Sequence, residues 1–411
     1  MKRVVITGIG LVAPNGEEKE EFWGNLMSGN VFVNEDEKMR QLGIKSNVNC
    51  KVTKFKEKDN LQARFIQFGI TAGKAAVNDS KVNWKIENID KCGVIFSSAI
   101  GGTPTIEKIY ETLTNNGLDS VHYKNVGGYF YDAGMINYVS MYLAKEYGLN
   151  GICTAMSTGC TGGCDSLGMA FDEIRYGKCE VMITGATEAP LCDITYSTLD
   201  AIGALSVAKG KPSTRSRPFD ATRAGFVISE GAGCLILEEL QHAIDRGAYI
   251  YGEVVGYASR NNASHMTDLL GDGESMADTI SECLLDANMD SNDVQYINAH
   301  GSSTKQNDLY ETKAIKKVFG DYAKKIPISS TKSMIGHSLA SASMFGIIAS
   351  IGSILKQEVH PTKNLHIFDD ECDLDYVPDK SRKHLINNVL ITSSGFGGIH
   401  SAAIIRKYEV E

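Results

Sequence analysis

The sequence predicts an α/β protein made of two similar halves. Three observations carry this. Short β-branched runs recur along the chain, helical patterns lie between several of them, and two pairs of segments echo one another. The runs cover residues 4–7, 94–97, 181–184, 234–237, 250–255, 294–299, 326–329 and 389–392, each flanked by Gly, Ser or charged residues. Continuous apolar runs read as strands buried on both faces. The intervening patterns at 61–78, 165–176, 276–287, 309–319 and 341–355 have helical periodicity and would cover those faces. The echoes pair CGVIFSSAIGG with VQYINAHGSST, and EVMITGATEA with VLITSSGFGG. They place a division near residue 250, giving halves 1–250 and 251–411. No Pro-rich linker or low-complexity tract separates the halves, so they are expected to pack as one body.

The chain of 411 residues is long enough for a substantial core, and 43% hydrophobic with 22% charged residues is ordinary soluble composition. A net charge of −9 argues against nonspecific nucleic-acid binding. The opening MKRVVITGIGLVAPNG is too short and too broken by glycine for a signal peptide or a membrane span, and it reads as a first strand and turn. No apolar stretch reaches the roughly 18 residues a membrane helix needs, so a cytoplasmic location with no membrane partner is expected. Ten cysteines at irregular spacing do not form a disulfide framework, and most are expected to be reduced and buried.

The stretch AMSTGCTGGCDS, residues 155–166, concentrates the chemistry. Cys160 lies at a strand–turn–helix junction, with the helical pattern opening near Asp165. A thiol at a helix N-terminus feels the positive end of the dipole, which favours the thiolate. Flanking glycines permit a strained turn and close approach of a substrate to the backbone. Cys160 thus reads as a nucleophile for acyl transfer, beside the plainer reading of a small core residue. The C-x3-C spacing is not a common zinc pattern and no His is adjacent, so no metal is expected. Cys164 and Cys153 read as packing residues.

Partners for a reactive thiol come from the last third. His300 ends an apolar strand in NAHG, while Lys332 and His337 follow another in KSMIGH. Each alone is weak; together with a Gly-flanked Cys they suit a site built at strand ends. The run 394–398, SGFGG, reads either as a turn before the last strand or as a movable gate.

Taken together with these residues, KRVVITGIGLVAPNG, RPFDATRAGFVISEGAG, NAHGSSTKQND, STKSMIGHS and SSGFGGIHSAAII resemble the condensing enzymes of the thiolase fold, over essentially the whole chain. The resemblance implies a layered α-β-α-β-α arrangement of the two halves and elongating β-ketoacyl synthase activity on acyl carrier protein. STGCTGGCDSLG, GYASRNNASHMT, YINAHGSSTKQNDLYET and ECDLDYVP narrow the resemblance to the ketosynthase-alpha subunit of type II polyketide synthases, rather than the fatty-acid homodimer. A non-catalytic chain-length-factor-like subunit is disfavoured, because those subunits lack the cysteine present here. A CoA-dependent thiolase is disfavoured too, because GFGGIH carries no second cysteine.

The resemblance assigns roles by matching position. Cys160 accepts the growing chain. His300 and His337 assist malonyl decarboxylation and stabilise the enolate oxygen, and Lys332 organises the pair. The N–H groups of Cys160 and Phe396 form the oxyanion hole, with the Phe396 ring as gate. Ser302 and Thr304 bind pantetheine, with Thr267 near its entrance. Thr103, Ile106 and the segment 129–141 wall an acyl tunnel that runs to a chain-length-factor partner. Substrates ride on the carrier's phosphopantetheine, so no cofactor is implied.

Two departures stand out. The glutamate usual fourteen residues past the lysine is replaced by Gly346, which puts Lys332's role in question. In Asp59-Asn60-Leu61-Gln62-Ala63-Arg64 only Arg64 remains of a usual basic pair, so carrier docking would fall to Arg64 with Lys209, Lys211, Arg215 and Arg217.

Overall fold

The computed structural model describes residues 1–57, 62–269 and 271–409. Ten strands form one mixed sheet. The first five are β1 (Val4–Val12), β2 (Cys92–Ser97), β3 (Cys153–Met156), β4 (Val181–Glu188) and β5 (Gly231–Glu239). The second five are β6 (Gly252–Asn261), β7 (Tyr296–Asn298), β8 (Ile328–Ser329), β9 (Asn388–Gly395) and β10 (Ile399–Arg406). Their spatial order is β8-β7-β9-β10-β6-β1-β5-β4-β2-β3.

Read outward from the centre, the two sets are copies: β1-β5-β4-β2-β3 on one side and β6-β10-β9-β7-β8 on the other. Directions match as well. The first two pairings of each set are antiparallel and the last two parallel. The echoing segments of the sequence fall on β2 and β7, and on β4 and β9. The sets meet through an antiparallel contact of β1 with β6, which pairs Val4 with Val254 and Ile6 with Gly252.

Two helices lie between the sets, α1 (Gly162–Arg175) and α2 (Ala340–Lys356). Every residue of α2 from Ala340 to Ile354 is buried, as expected of a helix with no polar face. Close approach explains the glycines after Cys160. A Cβ on Gly163 would stand 2.6 Å from the Met344 amide nitrogen, and one on Gly162 2.1 Å from Ser97 Oγ. They let the central layer pack, rather than admitting substrate as the sequence reading had it. The turn itself uses Gly159, at φ +66°.

Two expectations are corrected. The first long helix begins at Arg64 (Arg64–Ser80), and Asp59, Asn60 and Leu61 lie outside the described residues. Cys153 is exposed instead of core, because β3 is the outermost strand and, among the described residues, no strand pairs with its far side. Cys164 is fully buried, as expected.

Candidate active site

The turns that follow equivalent strands converge. Cys160 follows β3, and Lys332 and His337 follow β8, the matching strand of the other set. His300 follows β7, and Phe396 follows β9. Cys160, His300, His337, Ser302, Thr304, Thr267 and Phe396 all line one pocket of about 430 Å³. Lys332 sits buried behind it.

Cys160 is in a 3-10 turn, Gly159–Thr161, just ahead of α1. The backbone N–H groups of Phe396 and of Cys160 itself both reach its sulfur. The expected thiolate is not the resting form. Burial pushes the Cys160 thiol up to about 12, with the Lys332 charge and the two N–H groups only partly opposing it. Desolvation outweighs the helix end, and the thiol must lose its proton as it reacts.

The imidazole rings of His300 and His337 meet edge to face, 5.2 Å between centroids. Burial and the nearby Lys332 charge hold both well below the usual histidine range, so both are neutral. His337 Nδ1 accepts the Leu339 N–H at 3.2 Å, which places its proton on Nε2 as a donor. Its ring packs against Phe226, 4.9 Å between centroids. His300 Nδ1 is buried and, among the described residues, has no hydrogen-bond partner.

Lys332 donates to the His300 carbonyl oxygen, and burial lowers its ammonium to about 8 despite the opposing pull of Glu311. The sequence reading missed Glu311. It is 2% exposed, on the helix Lys305–Phe319, and accepts the His300 and Gly301 N–H groups at 2.8 Å each and the Thr392 hydroxyl at 2.6 Å. Its charge opposes the loss of the Lys332 proton that burial favours. A Cβ at 346 would itself stand 2.8 Å from Asn298 Oδ1, so that place is occupied. The only hint in the sequence was that Asp308 and Glu311, i and i+3 on a helix, share a face.

Four buried histidines make stability pH-dependent. His360, bonded to Asn298 Nδ2 at 3.1 Å, and His400, bonded to Ser394 Oγ at 2.9 Å, are both lowered to about 4 by burial, alongside His300 and His337. Below the ordinary value of 6.5 the unfolded chain binds protons that the folded chain refuses. Their contribution is therefore complete above about pH 6.5 and is lost as pH falls toward 4, by about 1.4 kcal/mol per unit for each histidine. Between pH 7 and pH 5 the urea midpoint of His360→Asn is expected to lose less than that of the wild type.

The remaining expected residues divide. Ser302 Oγ and Thr304 Oγ1 are 2.8 Å apart at the pocket wall, and the Thr304 hydroxyl also caps its helix by accepting the Asn307 N–H. Thr267 lies on the loop that receives the gate turn, where the Gly397 N–H reaches the Met266 carbonyl at 2.7 Å. Phe396 is 41% exposed at the tip of the β9–β10 turn, whose Gly397 and Gly398 take φ of +87° and +72°.

Thr103 and Ile106 do not line this pocket. They lie on the helix Thr103–Leu113, none of whose residues is buried; the Thr103 hydroxyl donates to Ile100 O at 2.6 Å. Arg64 is corrected. Its guanidinium is held by Glu230, 2% exposed, at 2.8 Å, and lies 4.6 Å over the Phe68 ring. A buried carboxylate needs that counter-charge, so Arg64 is not free for docking. Arg217 and Arg215 brace their own loop through the carbonyls of Lys209, Thr214 and Gly210, leaving Lys209 and Lys211 exposed. Lys305, exposed at the pocket rim, is a further cation that the sequence reading missed.

Among the described residues no helix is long and apolar enough to cross a membrane. The beta-ketoacyl synthase N-terminal domain model matches residues 1–243, and the C-terminal domain model residues 251–366. The tetracenomycin polyketide synthase ketoacyl synthase alpha subunit of Streptomyces glaucescens is 37% identical, over 99% of this chain and 97% of that one. A solved type II polyketide synthase ketosynthase, bound to the hexaketide and in complex with its acyl-carrier protein, superposes with a TM-score of 0.95 at 40% identity, covering 99% of this chain and 100% of that one. The ishigamide ketosynthase/chain length factor gives 0.91 at 29% identity, covering 99% and 100%. With the matched models spanning most of the chain, the protein belongs to the beta-ketoacyl synthase family and is a condensing acyltransferase of the thiolase-like fold.

Proposed function

We propose that the chain is the ketosynthase-alpha of a type II polyketide synthase, which extends a Cys160-bound acyl or poly-β-keto chain with malonyl units from acyl carrier protein. The observation that carries this is the convergence of Cys160, His300 and His337 on one pocket, with the Phe396 N–H at the sulfur. Transfer from the carrier forms the Cys160 thioester and releases the carrier thiol. The malonyl thioester then loses CO2, and the electron pair left behind delocalises onto its carbonyl oxygen. Neutral imidazole N–H groups of His300 and His337 hold that oxyanion without a charged competitor. The enolate carbon attacks the Cys160 thioester, whose carbonyl oxygen is received by the N–H groups of Cys160 and Phe396. The thiolate leaves, and the chain, two carbons longer, resides on the carrier. Burial, reinforced by the Lys332 charge bonded at the His300 carbonyl, keeps the two histidines neutral.

In this reading Ser302, Thr304 and Thr267 steady the pantetheine, and the Phe396 ring opens to admit it. The substrates are carried covalently, so no separate cofactor takes part, and the enzyme works in the cytoplasm. Lys209, Lys211 and Lys305 suit an acidic carrier. The halves 1–250 and 251–411 supply the nucleophile and the His/Lys groups respectively. A chain-length-factor homologue would seat on the unpaired edge of β3. The helix Tyr138–Tyr147, which packs against β3, carries the exposed Met141 beside that strand. There Thr103 and Ile106 would wall a tunnel completed by the partner.

The test is incubation with malonyl-loaded carrier protein, with and without the neighbouring ketosynthase homologue, followed by mass spectrometry of carrier-bound chains. Long unreduced chains formed only with the partner are expected. Single-step extension of acyl primers by the protein alone would replace this reading with a fatty-acid homodimer.

A further inference from the structure

Directly behind the nucleophile lies a buried carboxylate that the chemistry above does not use. Asp165, 3% exposed, is on the first turn of α1. Four hydroxyls from three parts of the chain donate to it, and among the described residues no cation is bonded to it. Thr161 reaches Oδ2 at 2.7 Å, and Thr158 reaches the same oxygen. Tyr257, on β6, reaches Oδ1 at 2.9 Å, and Ser401, on β10, shares that oxygen. Thr158 and Thr161 bracket Cys160 in sequence. Ser401 is on the strand that leads out of the gate turn.

The oxyanion hole joins two separate pieces of backbone, the Cys160 turn and the β9–β10 hairpin. Its geometry depends on how those pieces are set against each other. Ser393 Oγ donates to the Cys160 carbonyl oxygen at 3.0 Å, and Gly395 backs onto the turn so closely that a Cβ there would stand 3.3 Å from the Cys160 nitrogen.

We propose that Asp165 is a positioning residue that clamps the Cys160 turn to the gate hairpin and so sets the Phe396 N–H against the sulfur. The proposal rests on the reading of Cys160 as nucleophile. One oxygen takes the hydroxyls on either side of Cys160 and the other takes the hydroxyl of β10, so a single carboxylate spans both. Its two oxygens accept from all four hydroxyls. His300, His337 and Lys332 do not bond to it, and they stand on turns it does not hold. Its loss is therefore selective for events at the sulfur.

The test separates two partial reactions and a probe that needs no carrier. In Asp165→Ala, acylation of Cys160 by acetyl-carrier protein is expected to fall about a hundredfold, the usual cost of a misplaced reacting group. Release of CO2 from malonyl-carrier protein should stay near wild type. Asp165→Asn, which retains one acceptor oxygen, should recover part of the loss. Ser401→Ala should show the same selectivity at smaller size. With iodoacetamide as probe, the pH profile of Cys160 alkylation should move to higher pH in Asp165→Ala and Ser401→Ala, because the thiolate loses the Phe396 N–H. Equal loss of both partial reactions, or an unmoved alkylation profile, overturns the proposal. If Asp165→Ala does not fold, Ser401→Ala decides by the same two readouts. A wild-type protein inert toward both carriers counts against the ketosynthase reading, while the alkylation profile still decides the clamp.

Discussion

Cys160→Ala is expected to reduce chain extension to background, a loss of about 10⁴-fold or more, while malonyl decarboxylation continues. The residual activity follows from the layout. The thioester forms on a turn after β3, whereas the neutral donors that stabilise the enolate stand on turns after β7 and β8. Removing the sulfur leaves the His300–His337 contact and the Leu339 N–H to His337 Nδ1 bond in place. Labelled CO2 release from malonyl-carrier protein, measured alongside product formation, checks both halves of the statement. Loss of CO2 release together with condensation would show that the two steps share the thiol.

The reciprocal experiment has the second largest effect. His337→Ala is expected to lower decarboxylation by about 10²- to 10⁴-fold, since it removes an Nε2–H donor fixed by its tautomer in a water-poor pocket. Loading of Cys160 from acetyl-carrier protein should be far less affected, because the N–H groups at the sulfur come from Cys160 and Phe396. The same assays report it. A variant that loses loading and decarboxylation alike would place His337 in the proton path of the thiol.

Much of this arrangement was legible in the sequence. Continuous apolar runs located eight of the ten strands, all but β3 and β10, because a strand covered on both faces has few polar positions to blur it. The paired echoes identified β2 with β7 and β4 with β9 for the same reason. What escaped the sequence depends on pairing across long separations. Cys153 is written in apolar company, yet its strand is last in the sheet, and edge position is a property of topology. Arg64 looked like a surface cation until Glu230, 166 residues away, took its charge. Glu311 is one acid among several on a polar helix, and only the fold aims it at the His300 and Gly301 amides. The thiol's resting protonation was misjudged because a sequence displays a helix end but not the depth of burial around it.

The place of β1 has a consequence for how the chain is made. The first strand synthesised sits in the middle of the finished sheet, between β5, which begins at Gly231, and β6, which begins at Gly252. A ribosome adding about 5–20 residues per second leaves both long edges of β1 without their native neighbours for at least ten seconds or so. During that interval its unpaired N–H and C=O groups are open to any other strand, and closing it requires contacts of very long sequence separation, the slow kind. Yield on refolding from denaturant should therefore depend steeply on protein concentration, and holding chaperones should help most during synthesis of the first half.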